Sequence, residues 1–158
     1  MTKNEERELH CRVLEVLARH DTVLAPDAFA ELAQVVKTAV PYFHLAITMA
    51  ETPGYFRVLA LTRGEGEAAL PFRQRLQSSP AIHDILYVRG ETYIGNALEQ
   101  GLEVEKSGAA LGFGSYFVLP IRSPATGAVI AGMLAAFREP DGPSARAVAF
   151  LEAVVRHL

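Results

Sequence analysis

Cysteine, tryptophan and clusters of basic residues are scarce or missing in this sequence of 158 residues. Cys11 is its only cysteine, and tryptophan does not occur. One thiol forms neither an internal disulfide nor a zinc site with several cysteine ligands, and its simplest setting is the cytoplasm. The net charge is −3 and no cluster of lysine and arginine stands out, which argues against direct nucleic-acid binding.

A long hydrophobic run is missing as well. The longest apolar stretch, residues 128–137, is far shorter than the roughly 20 residues that a membrane-spanning helix needs. Residues 1–8 are charged and lack the apolar centre of a signal peptide. We therefore expect a cytoplasmic protein without a membrane anchor. The last residues lie inside an apolar pattern without a glycine cap, so we expect the final helix to continue into a longer signalling protein.

The composition is that of a folded domain. Half of the residues are hydrophobic and 21% are charged, which separates the chain from disordered proteins. The length favours a single domain over residues 1–158. Helices at both ends flank hairpins, so we expect an α+β fold in which a largely antiparallel sheet carries the terminal helices on one face.

Apolar residues at helical spacing predict three longer helices, and β-forming residues around turn sequences predict two pairs of strands. The helices fall within residues 1–22, 26–40 and 142–158. The strand pairs are 44–50 with 55–62, and 115–121 with 128–138. Between these pairs, a short helix follows Ser79 and a short strand covers residues 91–95. Residues 70–77 are either a short strand or irregular, and residues 96–114 are expected to be a loop with one or two helical turns. Long loops over a sheet commonly form a pocket or lid.

The segment SYFVLPIRSPATGAVIAGMLAAF, residues 115–137, is the most apolar part of the chain. Its second strand is apolar on both alternate faces, which predicts a central strand that is covered on both sides. The segment resembles the signature strand pair of the GAF domain family. The matching features are a serine near the strand start, an aliphatic-Pro-aliphatic step, a polar turn and an aliphatic-x-Gly-x-Leu strand. They fall at Ser115, 119–121, 122–127 and 130–134. The resemblance covers roughly residues 9–158.

The resemblance implies a six-stranded antiparallel sheet with N- and C-terminal helices on one face. It places a small-molecule pocket of loops and a short helix on the other face. Members of this family usually sense a ligand or pair with a copy of themselves. They pass the signal to an output domain such as a histidine kinase, a cyclic-dinucleotide enzyme or an AAA+ transcription activator.

Specialised members of the family are not matched. Bilin-binding members carry a pocket cysteine and methionine sulfoxide reductases need several, whereas Cys11 lies on the first predicted helix. The motif of cyclic-nucleotide binders is not found, and His83 is the only reasonable axial ligand for a haem. The sequence contains neither the residue spacing of a metal site nor the pattern of a catalytic triad. We therefore expect no cofactor, no metal site and no catalysis.

Five residues are candidates for contact with a ligand: His83, Tyr87, Tyr93, Ser115 and Phe117. Spacing of four places His83 and Tyr87 on one helical face, where they either offer a polar handle and an aromatic wall or are simply exposed. Tyr93 lies on the short strand beside the expected pocket. Ser115 either binds a ligand or caps the preceding turn, and Phe117 follows it on the signature strand.

The sequence thus predicts a non-catalytic sensory domain that binds an unknown small molecule and forms a homodimer through its terminal helices. Two alternatives stay open. One is a degenerate domain that only dimerises, its pocket filled by side chains such as Phe72, Ile82, Ile85 and Phe113. The other is a small enzyme on the same fold.

Overall fold

The structure, a computed structural model, describes residues 2–52, 55–63, 75–77, 80–96 and 114–158. The helices are α1 (Lys3–Arg19), α2 (Pro26–Ala39), α3 (Pro80–His83) with a π-helical turn after it (Asp84–Val88), and α4 (Ala145–Val155). The strands are β1 (His44–Thr52), β2 (Tyr55–Arg63), β3 (Arg75–Gln77), β4 (Tyr93–Asn96), β5 (Ser115–Arg122) and β6 (Val129–Phe137). The expected loops at 64–74 and 97–113, with Phe72 and Phe113, and the Ser79 cap lie outside the described residues.

The strands form one antiparallel sheet in the order β3-β2-β1-β6-β5-β4. This arrangement confirms the predicted α+β fold and both strand pairs. The predicted central strand, β6, pairs with β1 on one side and with β5 on the other. Because β4 is short, its pairing with β5 covers only Ser115 to Val118, and the rest of that β5 edge has no strand beside it among the described residues.

Local sequence determines where the longer helices begin. Thr2 and Glu5 form a reciprocal capping box at the start of α1. Pro26 occupies the first turn of α2, where its fixed backbone angle suits a helix and no amide hydrogen is lost. Ser144 caps α4, since its hydroxyl accepts a hydrogen bond of 3.2 Å from the Ala147 amide.

The terminal helices cover one side of the sheet, which we call the helix face. The core on this face joins α1, α2 and α4 to the inward-facing side chains of β1, β5 and β6. It contains Phe29, Phe117 and Phe150, each at most 1% exposed. The helix face is therefore a closed hydrophobic core, and the expectation that both terminal helices share one face of the sheet is confirmed.

The opposite side of the sheet, the outer face, carries a second and smaller apolar cluster. Residues 80–88, which we call the short helical segment, lie on it. Ile82 and Leu86 from this segment pack with side chains of β2, β4, β5 and β6. Both faces of the central strand are thus covered, as its apolar alternation predicts. Within the described ranges, no helix is both long and apolar enough to cross a membrane.

Candidate functional site

A glycine in the central strand positions the short helical segment close to the sheet. A Cβ atom added at Gly132 would lie 3.1 Å from Leu86 Cδ2 and 2.8 Å from Val118 Cγ1. Such distances are too short for a side chain to fit without movement of its neighbours. Gly132 therefore allows Leu86, which is fully buried, to approach the strand backbone, and the family-like aliphatic-x-Gly-x-Leu sequence has a packing role here.

The segment that follows α3 winds as a π-helix. The Arg89 amide donates to the Asp84 carbonyl at 2.9 Å, a bond over five residues, and the Arg89 side chain bonds the Asp84 carboxylate at 3.0 Å. Single π-helical turns are rare and occur frequently at functional sites. In this one, the backbone carries Tyr87 back over the sheet while Asp84 and Val88 remain exposed.

Two sequence candidates, His83 and Tyr87, meet on the outer face as their spacing predicts. Their rings lie 5.4 Å apart between centroids, and the Tyr87 ring lies 6.0 Å from the ring of Phe56. Both side chains are half-buried. They form an aromatic wall at the edge of the outer-face cluster, with the imidazole as its one basic group.

The Tyr87 hydroxyl is a buried polar group without a normal hydrogen bond. Its oxygen is shielded from solvent and has no partner of acceptable geometry among the described residues. Burial raises the pKa of Tyr87 to about 12, while the nearby Ala50 backbone and Thr48 hydroxyl act against that rise. Leaving such a group unsatisfied costs roughly 1–3 kcal/mol.

Thr48 supplies a second hydroxyl beside Tyr87. This residue is 3% exposed, and its hydroxyl donates to the Gly132 carbonyl at 3.3 Å. Its oxygen retains lone pairs that can accept a further hydrogen bond. Thr48 is not among the residues that the sequence predicts for the site. The available signal was the alternation in β1, where Leu45 and Ile47 point to one face and Thr48 to the other.

Tyr93 joins a tyrosine pair at the β4–β5 edge of the outer face. Its ring lies 5.9 Å from the ring of Tyr116, and both side chains are buried. Gly95, which pairs with Tyr116, leaves room for that ring, because a Cβ there would lie 2.6 Å from the tyrosine Cζ. A glycine inside a strand signals such a close approach, but Tyr116 was not selected from the sequence.

The remaining two candidates, Ser115 and Phe117, do not meet the others. Ser115 is 1% exposed, and its hydroxyl donates to the Glu139 carbonyl at 2.6 Å, so this O–H bonds the turn after β6 and not the turn that precedes β5. Phe117 lies in the helix-face core and stacks on Phe137 at 5.5 Å. Alternation along β5 turns Phe117 away from the outer face, because its neighbours Tyr116 and Val118 occupy that side.

The described residues of this site include neither a group of metal ligands nor a thiol. Among the described residues, no group of three histidine, cysteine or acidic side chains could hold a metal ion. Cys11 is exposed on α1, a helix of the opposite face. His44 places its Nδ1 atom 3.1 Å from the Thr62 carbonyl. The site that the described residues form is thus aromatic and apolar, with hydroxyls and one imidazole.

Comparison with solved structures gives consistent matches to one fold. The phycoerythrobilin-bound GAF domain of a cyanobacterial phytochrome matches with a TM-score of 0.72 and 12% identity, over 98% of this chain and 92% of that one. The GAF domain of a two-component sensor histidine kinase from Bacillus halodurans matches with a TM-score of 0.67 and 15% identity, over 85% and 90%. The free methionine-R-sulfoxide reductase of Neisseria meningitidis, solved with its substrate, matches with a TM-score of 0.68 and 14% identity, over 99% and 88%.

The sequence comparisons identify no relative of this chain. Neither the scan against family models nor the search of curated proteins finds a match. At identities of 12–15% the structural matches show the fold alone. They agree with the signature strand pair and with a sheet that carries the terminal helices on one face and the short helical segment on the other. The chain has the GAF-domain fold.

Proposed function

We propose that this protein is a non-catalytic sensory domain that binds a small molecule on the outer face of its sheet. The observation that carries the proposal is the buried Tyr87 hydroxyl, which forms no hydrogen bond of normal geometry with a described residue, although the Ala50 backbone and the Thr48 hydroxyl lie near it. A ligand with one polar group on an otherwise apolar body would satisfy that hydroxyl and cover the aromatic side chains beside it. Small-molecule sites commonly combine an apolar lining with a few placed polar groups in this way.

Shared strands provide a route from the ligand to the terminal helices. Along β6, Ala136 belongs to the outer-face cluster, whereas Met133 and Ala135 belong to the helix-face core. A ligand that shifts β6 therefore also changes the packing under α4. At the other end of this route α1 and α4 touch, with the rings of His10 and Phe150 4.9 Å apart.

Signal transfer to the terminal helices requires that the ligand binds two conformations of the protein with different affinities. A ligand shifts a conformational equilibrium only if it binds one state more tightly than the other. We propose that the favoured state differs in how α1 and α4 lie on the sheet, and that these helices pass the change to an output domain or to a second copy in the cytoplasm. Fold neighbours include the GAF domain of a sensor histidine kinase and the phycoerythrobilin-bound GAF domain of a phytochrome, which is compatible with a sensory role.

A purified sample and a metabolite panel test ligand binding. Mass spectrometry of the denatured protein should reveal any copurified small molecule. The midpoint temperature of thermal unfolding should rise with the concentration of the correct ligand until it saturates. At one hundred times its dissociation constant, a ligand stabilises the native state by about 2.7 kcal/mol. The absence of any saturable stabiliser in a broad panel, together with an outer face filled entirely by the protein's own side chains, would refute the proposal.

A second candidate function is dimerisation without a ligand. It is favoured by Ile82 and Leu86, which are 1% and 0% exposed and already fill part of the outer face. Leu14 on α1 is 46% exposed and offers an apolar contact for a second copy. Sedimentation velocity over a wide concentration range tests this candidate. A protein that stays monomeric at high concentration contradicts it.

The enzyme alternative has less support. One fold neighbour is the methionine sulfoxide reductase, but the single cysteine of this chain, Cys11, is exposed on α1. The described outer-face residues contain no thiol. A Cys11→Ala variant that binds the same small molecules as the unaltered protein would agree with the non-catalytic proposal.

A further inference from the structure

A concave surface at the end of α4 is lined by none of the residues of the outer-face cluster. An open cleft of about 650 Å³ separates the end of α4 from the β5–β6 turn and from the residues just before β4. Leu119, Val155 and Leu158 give it an apolar lining, and Arg122, Arg156 and Glu152 give it charge. The cleft contains none of the five ligand candidates of the sequence analysis.

Arg122 is held in a fixed position at this cleft. Its Nη1 donates to the Gly127 carbonyl and its Nη2 to the Gly90 carbonyl, both at 2.9 Å. Gly90 has a φ angle of +66°, and a Cβ atom there would collide with the guanidinium. The glycine therefore permits both the turn and the close approach of the arginine. A guanidinium has five N–H donors, so donors remain for a ligand after these two bonds.

The positive charge of the cleft is only partly balanced. Backbone carbonyls accept from Arg122 without cancelling its charge, and neither Arg122 nor Arg156 forms an ion pair with a described residue. Glu152 brings one negative charge, and its carboxylate accepts from the Thr92 hydroxyl at 3.4 Å. Among the side chains that line the cleft, two arginines and His157 accompany one carboxylate, so basic groups outnumber acidic ones.

We propose that this cleft binds a small monocarboxylate with an apolar body. The carboxylate would accept hydrogen bonds from the prepositioned Arg122 guanidinium, the geometry that suits arginine best. The apolar body would lie on Leu119, Val155 and Leu158. Such a ligand connects the end of α4 to the β5–β6 turn, so it restrains the C-terminal helix independently of the outer face.

Titration with matched six-carbon probes tests this proposal on the intact chain. Hexanoate, hexylammonium and hexan-1-ol have the same tail and differ in charge. We expect hexanoate to shift the amide signals of residues 119–127 and 152–158 in a saturable manner, and the other two probes to bind at least several-fold more weakly. Equal shifts by all three probes would overturn the proposal.

Charge variants separate a specific contact from a general effect of charge. Arg122→Gln should weaken hexanoate binding roughly tenfold, the loss typical of one charge-assisted hydrogen bond. Arg156→Gln should weaken it several-fold because the cleft loses a positive charge, and Glu152→Gln should tighten it. Arg138→Gln is the matched control, because Arg138 follows the far end of β6 and lies over the Phe43 ring. If Arg138→Gln weakens binding as much as Arg156→Gln, the proposal is wrong.

A last variant keeps this proposal distinct from the proposed function. Tyr87→Phe changes the outer face and should leave hexanoate affinity unchanged. If Tyr87→Phe abolishes the hexanoate shifts, the probe binds on the outer face and the cleft proposal fails while the sensory proposal stands. Arg122→Gln also removes the bonds to Gly90 and Gly127, so circular dichroism must show that this variant keeps its fold. If the Arg122→Gln variant is not folded, Arg156→Gln decides the result.

Discussion

Leu86 packs against the backbone of Gly132, so that the short helical segment touches the central strand where a side chain would not fit. A Cβ at position 132 would lie 3.1 Å from Leu86 Cδ2. The contact determines how closely residues 80–88 lie on the outer face. It therefore also determines the position of Tyr87, one residue further along the chain.

Gly132→Ala should destabilise the protein by about 1–3 kcal/mol, the usual cost of an extra methyl group in a packed site. Urea unfolding measures the change. Adding Leu86→Ala should cost less in the Gly132→Ala background than alone, because the smaller side chain relieves part of the overlap. Ile130→Ala, on the same strand at a side chain that is 50% exposed, is the control and should cost less. Strict additivity of the two variants would contradict the packing role.

Two tyrosines with buried hydroxyl groups should respond differently to the loss of those hydroxyls. The Tyr42 hydroxyl donates to the Ala33 carbonyl at 2.7 Å, so Tyr42→Phe should lower the free energy of unfolding by about 1 kcal/mol. Tyr87→Phe removes a hydroxyl that forms no hydrogen bond of normal geometry with a described residue and should leave stability unchanged or slightly raised. Urea unfolding of the ligand-free protein compares them. A Tyr87→Phe loss as large as that of Tyr42→Phe would show that the hydroxyl is already satisfied.

Alkaline pH should weaken the fold through the same two residues. Burial raises the pKa of Tyr42 and of Tyr87 to about 12, from an ordinary value of 10.0. Above pH 10 the folded state therefore holds protons that the unfolded state has lost, so the free energy of unfolding falls as the pH rises from 10 to 12. Below pH 10 these groups contribute no pH dependence.

Tyrosinate absorbance checks this prediction at pH values where circular dichroism shows an intact fold. The unaltered protein should contain a component that ionises near pH 12, and both Tyr42→Phe and Tyr87→Phe should reduce it. Complete ionisation of the folded protein near pH 10 would disagree with the burial of these hydroxyls.

Ser115→Ala should affect stability and leave ligand affinity unchanged. Its hydroxyl donates to the Glu139 carbonyl at 2.6 Å, and loss of this buried bond should cost about 1 kcal/mol. Paired urea unfolding and ligand titration separate the two roles that the sequence left open. A large loss of affinity with unchanged stability would assign Ser115 to the ligand instead.

The sequence predicted the elements of the fold well because their signals are local. Helical spacing, Pro26 at a helix start and the turn between β5 and β6 each depend on neighbours in the chain. The π-helical turn Asp84–Val88 was not predicted, since it depends on how Leu86 meets the sheet. The π-helical winding of that turn therefore depends on tertiary packing and not on local sequence.

The candidate site was predicted only in part, and β5 shows why. Phe117 and Tyr116 are both aromatic, both faces of the strand are buried, and alternation alone does not reveal which face meets which layer. The choice of Phe117 therefore could not be separated from the choice of Tyr116. His83 and Tyr87, in contrast, were brought together by helical spacing, a relationship that the sequence contains directly.

The affinity of Tyr87→Phe for the strongest ligand from the metabolite panel tests the central claim most directly. Tyr42→Phe is the control, because it removes a buried tyrosine hydroxyl on the helix face. The account predicts that Tyr87→Phe weakens binding about tenfold, the cost of one hydrogen bond, while Tyr42→Phe binds as the unaltered protein does. Equal affinities for all three proteins would contradict a ligand site at Tyr87.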